Sequence, residues 1–306
     1  MTDGVIYVAA GKDYLDLAEQ SVRSLKAANP QLEADIFTDM TPGTDLFDRV
    51  HPIPAGPTAK LASLPHSRFD RTLYLDCDTL ILSPFGDLFD LLDRFQLAVA
   101  HDVRRTSELI RQGFQHATPY AFPQMNCGVL LYRTSPEMMA FLGEWQSRYT
   151  ASGLKRDQPT FRDLVWSSDL RFYVLPPEFN LRRVTMLDAW EPLDVRPTIM
   201  HSHRLLQHLR GHEERFSDLG SILAVEREAL DDEWAAFETA PVDEEGNGPA
   251  RRFHLAEAEA ARGTDLKVPD LAAAPRRDAQ QPAFGIDGRG DWHDHEPETA
   301  RRMIRS

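Results

Sequence analysis

Arg71-Thr72-Leu73-Tyr74-Leu75-Asp76-Cys77-Asp78-Thr79-Leu80 joins an apolar run to a pair of acids. Thr72 to Leu75 form a short, uninterrupted stretch of the kind that fills a buried parallel strand. The run ends abruptly in Asp76 and Asp78. Open α/β sheets bind ligands just beyond the carboxyl ends of their strands. Alternate residues of an extended chain share a side, so Asp76 and Asp78 can converge on one small volume. Two carboxylates that close repel unless a cation neutralises them, and oxygen ligands suit Mg²⁺ or Mn²⁺.

Outward from this segment, short apolar runs alternate with amphipathic stretches, the signature of an α/β layer fold. Val5 to Ala10 is a continuous apolar run, Tyr14 to Ala28 has helical spacing, and Ala34 to Asp39 follows as a second strand. Further strands are expected at Leu97–Ala100, Val129–Tyr132, Phe172–Leu175 and Thr198–Met200, with helices at Pro136–Tyr149 and Asp157–Leu164. Asp218 is placed to cap a last helix with an apolar stripe of Leu219, Ile222, Leu223, Leu230, Trp234 and Phe237. Beyond Ala240 large apolar residues are few, too few to offset the entropy of ordering the chain. The organisation expected is a catalytic α/β domain over 1–210, a C-terminal helix over 211–240, and a disordered or loosely packed tail over 241–306.

Composition narrows the function. Of 306 residues, 34 are Lys or Arg and 48 Asp or Glu, a net charge of −14. That balance argues against a nucleic-acid partner, whose footprint would be a basic face. Only 2 cysteines, Cys77 and Cys127, exclude a disulfide-dense scaffold. They read as small fillers, because no Cys-His-Asn arrangement can be traced. No stretch of 18 apolar residues occurs, and the N-terminus has neither a basic nor an apolar leader region. A cytoplasmic protein without a transmembrane segment is therefore expected.

Asp76-Cys77-Asp78 after an apolar strand resembles the Asp-x-Asp element of GT-A-fold glycosyltransferases, particularly those similar to glycosyltransferase family 8 and glycogenin. Further elements follow in order between Val5 and His203. Ala9-Ala10-Gly11-Lys12-Asp13-Tyr14 resembles the first strand-to-helix loop, which in the family holds the nucleoside. Thr58-Ala59-Lys60-Leu61 is similar to a Lys-Leu segment before the acidic strand. Asn126-Cys127-Gly128-Val129 resembles a strand start facing the donor sugar, and Asp157-Gln158-Pro159 an Asp-Gln helix start. Pro177-Glu178-Phe179-Asn180 looks like a later loop ending in Asn. Ile199-Met200-His201-Ser202-His203 resembles the strand whose terminal His completes a metal site.

The resemblance implies a Rossmann-like mixed sheet flanked by helices, with a helical C-terminal extension. It also implies transfer of a sugar from a nucleotide-diphospho-sugar, a UDP-hexose, to a hydroxyl of a glycan, lipid or protein, with retention. The metal ligands implied are Asp76, Asp78 and His201, with His203 as the alternative histidine, and the nitrogen ligand favours Mn²⁺ over Mg²⁺. Lys60 suits a phosphate oxygen, and Asn126, Asp157 and Gln158 suit the donor sugar's hydroxyls. Val8, Ala10, Gly11, Tyr14 and Cys77 fall on the nucleotide side, with His203 near the phosphates.

The match has gaps. The family often follows its metal His with Gly and a Lys-Pro-Trp segment that grips the diphosphate. Here the chain runs His201-Ser202-His203-Arg204, with Arg204 or Arg210 as possible substitutes. An inverting reaction would need a carboxylate base, for which Asp102, Glu108 or Glu178 are available. The polar stretch from Asp102 to Gln124 is the expected acceptor-side loop. Leu75-Asp76-Cys77-Asp78-Thr79-Leu80 superficially resembles a haloacid-dehalogenase-like phosphatase motif. It is one residue short between the second Asp and the Thr, and it comes after two or three strands instead of on the first. A catalytically idle nucleotide-sugar-binding domain is the other alternative. A nucleotidyltransferase is disfavoured by the lack of a Gly-rich signature near the first strand. The acidic and histidine cluster at 291–296 lacks preorganisation for tight metal binding.

Overall fold

The structure, a computed structural model, describes residues 1–54, 56, 58–103, 113–119, 121–191, 193–211, 215–239, 284–286 and 292–294. It divides into two compact units, Met1–Trp190 with Asp194–Arg227, and Glu191–Leu193 with Glu228–Ser306. Every site residue considered below belongs to the first.

That unit is built on a seven-stranded mixed sheet with order β3-β2-β1-β4-β7-β6-β8. The strands are β1 (Asp3–Ala9), β2 (Glu33–Thr38), β3 (Arg49–Pro52), β4 (Arg71–Leu75), β6 (Leu97–His101), β7 (Met125–Arg133) and β8 (Phe172–Val174). All neighbours pair in parallel except β7, which runs antiparallel to both β4 and β6. The helices are α1 (Lys12–Ala28), α2 (Ala59–Ser63), α3 (Pro136–Ser152), α4 (Gln158–Ser167) and α5 (Leu219–Thr239). This is the mixed α/β sheet with flanking helices expected from the sequence.

Strand alternation divides the core into two layers. Val5, Tyr7, Ala9, Leu73, Leu75, Val129 and Leu131 pack on the α1 side with Leu17, Val22 and Leu25. Ile6, Tyr74, Leu130 and Tyr132 face the other way, against Met138, Trp145 and Phe161 of α3 and α4. A buried polar chain fixes the end of β4 against α1. Tyr7 Oη lies 3.0 Å from Ser21 Oγ, Ser21 Oγ lies 2.8 Å from Thr79 Oγ1, and Thr79 donates to the Asp76 carbonyl at 2.8 Å.

A second, two-stranded sheet carries more functional weight than its size suggests. β5 (Thr79–Ile81) pairs antiparallel with β9 (Ile199–His201) in the register Thr79↔His201, Leu80↔Met200, Ile81↔Ile199. The pairing lays His201 beside the residues that follow the acidic pair. It puts the end of the strand at His201, whereas His203 opens a 3₁₀ turn, His203–Arg210, in which Ser202 Oγ accepts from Arg204 N at 3.2 Å.

Local differences from the sequence reading have simple causes. β7 begins at Met125, not Val129, because Asn126 and Cys127 are buried in the sheet despite breaking the apolar run. β3 gave little signal: Arg-Val-His-Pro is exposed or half-buried at the sheet's edge and ends on a proline. Asp218 does cap α5, accepting from Ser221 N at 2.9 Å. In the second unit, Phe284–Ile286 and Trp292–Asp294 pair antiparallel; the remainder of the expected tail lies outside the described residues. Among the described residues, no helix is long and apolar enough to cross a membrane.

Trp145 is fully buried, and its indole N–H reaches the Asp157 carbonyl at 3.2 Å, tying α3 to the start of α4. Trp145→Ala should lower unfolding stability by about 3–5 kcal/mol in urea titration. A loss under about 1 kcal/mol would show that this contact does not carry the packing.

Candidate metal and nucleotide site

Asp76, Asp78 and His201 each offer a ligand atom, and these atoms lie within 4.8 Å of one another. His201 Nε2 is 3.3 Å from Asp78 Oδ1 and 3.8 Å from Asp76 Oδ2. Local structure explains how each arrives. β4 ends in register with β7, with Asp76 N bonded to the Gly128 carbonyl at 2.7 Å. β5 then turns away and recruits β9, with Ser202 N on the Asp78 carbonyl at 3.1 Å. Burial alone would raise the Asp78 carboxyl, but the neighbouring His201 and the Arg182 guanidinium hold it below the usual carboxylate range.

The donor set fits a divalent cation on two observations. The first is Gly128, opposite the ligands on β7. A Cβ there would lie 2.0 Å from His201 Cε1 and 2.7 Å from Asp76 Oδ2, so only glycine leaves room for the cluster. The second is the direction of a hydrogen-bond chain. The Gly128 backbone N–H donates to Asn126 Oδ1 at 3.2 Å, which fixes that amide's carbonyl end. Asn180 Nδ2 donates to the same oxygen at 3.0 Å, so Asn180 Oδ1 is left as the acceptor facing His201 Nδ1 at 3.1 Å. A neutral His201 therefore carries its proton on Nδ1, and the Nε2 lone pair faces the two aspartates. Metal-bound histidines are held by this kind of partner.

Asp76 is oriented from its other side. Tyr74 Oη donates to Asp76 Oδ1, and Lys60 Nζ lies 3.5 Å from the same oxygen. Oδ2 is thereby the oxygen turned toward His201. Burial and the adjacent Asp76 push the Tyr74 hydroxyl well above its ordinary range, so it stays a donor. Lys60 also donates to the Cys127 carbonyl at 2.9 Å and lies 3.2 Å from Asp157 Oδ2. Burial would lower the Lys60 ammonium, but Asp157 and Asp76 outweigh it and raise it above its usual value. Lys60, expected at a phosphate oxygen, is thus placed between two carboxylates.

Asn126, Asp157 and Gln158 gather next to the Asp76–Asp78–His201 cluster. Gln158 Nε2 donates to Asp102 Oδ2 at 2.8 Å and to the Met125 carbonyl at 2.9 Å, and Arg156 donates to Gln158 Oε1. Asn126 Nδ2 reaches Asp102 Oδ2 at 3.4 Å, and Val103 N reaches Asp102 Oδ1 at 2.8 Å. Asp157 makes no side-chain cap to α4; its carboxylate goes to Lys60 instead.

At the carboxyl ends of β1 and β4, Cys77 Sγ donates to the Val8 carbonyl at 3.3 Å, which joins the two strands. Gly11 precedes α1 with φ +84°, and its N–H donates to Asp39 Oδ1 at 2.8 Å. Ala10 is half-buried, while Tyr14 is 50% exposed, so its ring is no core-packing group. Both cysteines are buried, and burial pushes both thiols well above their usual range. His203 stands apart from the ligand cluster. Burial, helped by Arg204, Arg182 and Arg210 and opposed by Glu226, lowers its imidazole below the usual value.

Sequence reading missed the roles of Tyr74, Asn180 and Arg182. Asn180 was visible as the end of a loop motif, but only the fold brings it to His201. Tyr74 lies two residues before Asp76 on the same strand face, a parity that could have revealed it. Of the expected acceptor-side loop, 104–112 and residue 120 lie outside the described residues, Glu108 with them. The part at 115–116 is tied to α4, since Gln115 N and His116 N both donate to Asp163 Oδ2.

Asn180→Leu should keep the fold but weaken Mn²⁺ binding by roughly 10- to 100-fold, as loss of a partner to a metal-bound histidine does. Gly128→Ala should weaken it at least as much. Calorimetric Mn²⁺ titration checks both, and wild-type affinity in either variant would refute the assigned geometry.

No family model matches the chain, and neither does any curated protein. Among solved structures, the chain is similar to the glycosyltransferase GlyE of Streptococcus pneumoniae TIGR4, at 17% identity over 82% of this chain and 67% of that one, with a TM-score of 0.49. It is similar to the galactosyltransferase LgtC in complex with donor and acceptor sugar analogs, at 18% identity over 66% and 87%, TM-score 0.45. It is also similar to the bifunctional glycosyltransferase WbbM, at 14% identity over 65% of this chain and 45% of that one, TM-score 0.47. Likeness at this level concerns the fold, and function has to be argued from the site.

Proposed function

We propose that this protein is a metal-dependent glycosyltransferase that moves a hexose from UDP-hexose to a hydroxyl acceptor, with retention. The observation that carries the reading is the convergence of Asp76, Asp78 and His201 within 4.8 Å, beside a buried polar cluster of Asn126, Gln158 and Asp102. Asp76 Oδ2, Asp78 and His201 Nε2 would hold the divalent ion, and the imidazole would favour Mn²⁺ over Mg²⁺. The chemistry such an ion would supply is Lewis-acid stabilisation of a departing diphosphate.

The remaining roles belong to the chain. Val8, Ala10, Gly11, Tyr14 and Cys77 border the nucleoside, with Tyr14 offering an exposed ring for stacking. Lys60 clamps Asp76 to Asp157 and so holds the metal end and the sugar end of the site in one geometry. Asn126, Asp157 and Gln158 face the donor sugar, and His203 flanks the phosphate side.

The test is donor cleavage. With UDP-hexoses and Mn²⁺, the protein should release UDP and free sugar, and EDTA should stop it. Asp78→Ala should reduce the rate on the order of 100-fold or more, the scale of losing charge stabilisation at a leaving group. Phosphate release from an aryl phosphate would favour the phosphatase reading. Donor binding without cleavage or transfer to any acceptor would mark an idle domain.

A further inference from the structure

Resting on the nucleotide-sugar reading above, we infer that Arg182, whose buried Nε has no hydrogen-bond partner among the described residues, grips the donor's diphosphate. Leu181 N donates to the Ile199 carbonyl at 2.8 Å, and His201 N donates to the Leu181 carbonyl at 3.2 Å. Arg182 therefore leaves this backbone pairing alongside His201. Leu181 is fully buried in the core, and the residues flanking it in an extended chain face away from it. Asn180 does so onto the His201 ring, which places Arg182 on the same side.

A further observation agrees. The Arg182 Nε is buried and has no hydrogen-bond partner among the described residues. A donor left so is costly, and Arg forks suit phosphate oxygens.

Three other cations near the cleft have acceptors of their own among the described residues. Lys60 is held by Asp157, Asp76 and the Cys127 carbonyl. Arg204 donates to Glu226 at 2.6 Å. Arg156 donates to Gln158 and Gln124. Arg210 is exposed at the end of its turn. Charge counting leads to the same residue. Two aspartates neutralise one divalent ion, so a diphosphate arriving there needs another cation, and Arg182 has a buried nitrogen without an acceptor among the described residues to offer it.

The experiment compares UDP, UMP and uridine binding by calorimetry in Mn²⁺, for wild type, Arg182→Gln and Arg182→Lys, with thermal melts confirming folding. ADP, GDP and CDP are run in parallel to cover the choice of base. Arg182→Gln should weaken diphosphate binding roughly 10- to 100-fold, leave uridine unchanged, and flatten the preference for UDP over UMP. Arg182→Lys should recover part of the loss. Unchanged UDP affinity in Arg182→Gln would overturn the inference. So would tighter Mn²⁺ binding without a nucleotide effect, which would make Arg182 a counter-ion for Asp78. An equal loss of UDP and uridine would overturn it too. If the wild type binds no nucleoside diphosphate at all, the nucleotide-sugar reading itself fails.

Discussion

Two carboxylates at the end of one buried strand repel each other, and the surrounding residues are arranged to offset that repulsion. Asp76 is engaged on Oδ1 by the Tyr74 hydroxyl and the Lys60 ammonium. Asp78 is stabilised by the Arg182 guanidinium and, when His201 is protonated, by its Nε2–H at 3.3 Å. Each aspartate keeps an oxygen for the shared volume that His201 Nε2 also faces. A cation in that volume would replace repulsion with coordination.

The orientation of His201 is set by backbone chemistry. A backbone N–H can only donate, so the Gly128 amide determines which end of Asn126 it meets. Asn126 in turn determines which end of Asn180 faces it, and Asn180 determines the imidazole tautomer. The polarity therefore follows from a group with no alternative state. Gly128 also supplies the room, because its missing side chain is the space taken by His201 Cε1. One residue thus sets both the direction of the hydrogen bonds and the clearance.

Much of the frame was legible in the sequence for one reason: the central strands are fully buried and so read as apolar runs. Val5 to Ala9 and Thr72 to Leu75 announced themselves, and the abrupt acids after Leu75 marked the sheet edge. His201 was legible as the end of an apolar strand, although its distinction from His203 required the register of β5 against β9. Three-residue strands carry too little pattern to be paired from sequence. Lys60, Asn180 and Arg182 lay outside its reach for a different reason. Their roles depend on which acceptors the fold leaves beside them, and a lone Lys, Asn or Arg in a loop or short helix has no periodicity to reveal that.

Lys60 links the Asp76–Asp78–His201 cluster to the start of α4. Its ammonium bridges Asp76, which points to the ligand cluster, and Asp157, which opens α4 just before Gln158. The Asp157 carbonyl in turn accepts the indole N–H of Trp145, buried at the centre of the α3–α4 layer. The position of the Asp157 carboxylate is therefore set by core packing, and Lys60 passes that constraint to Asp76. A site assembled from surface loops alone would have to order these groups when ligand arrives, at the cost of their conformational entropy. Here the hydrophobic layer has already ordered them, and Lys60, Asp76 and Asp157 inherit the rigidity of the core beneath them.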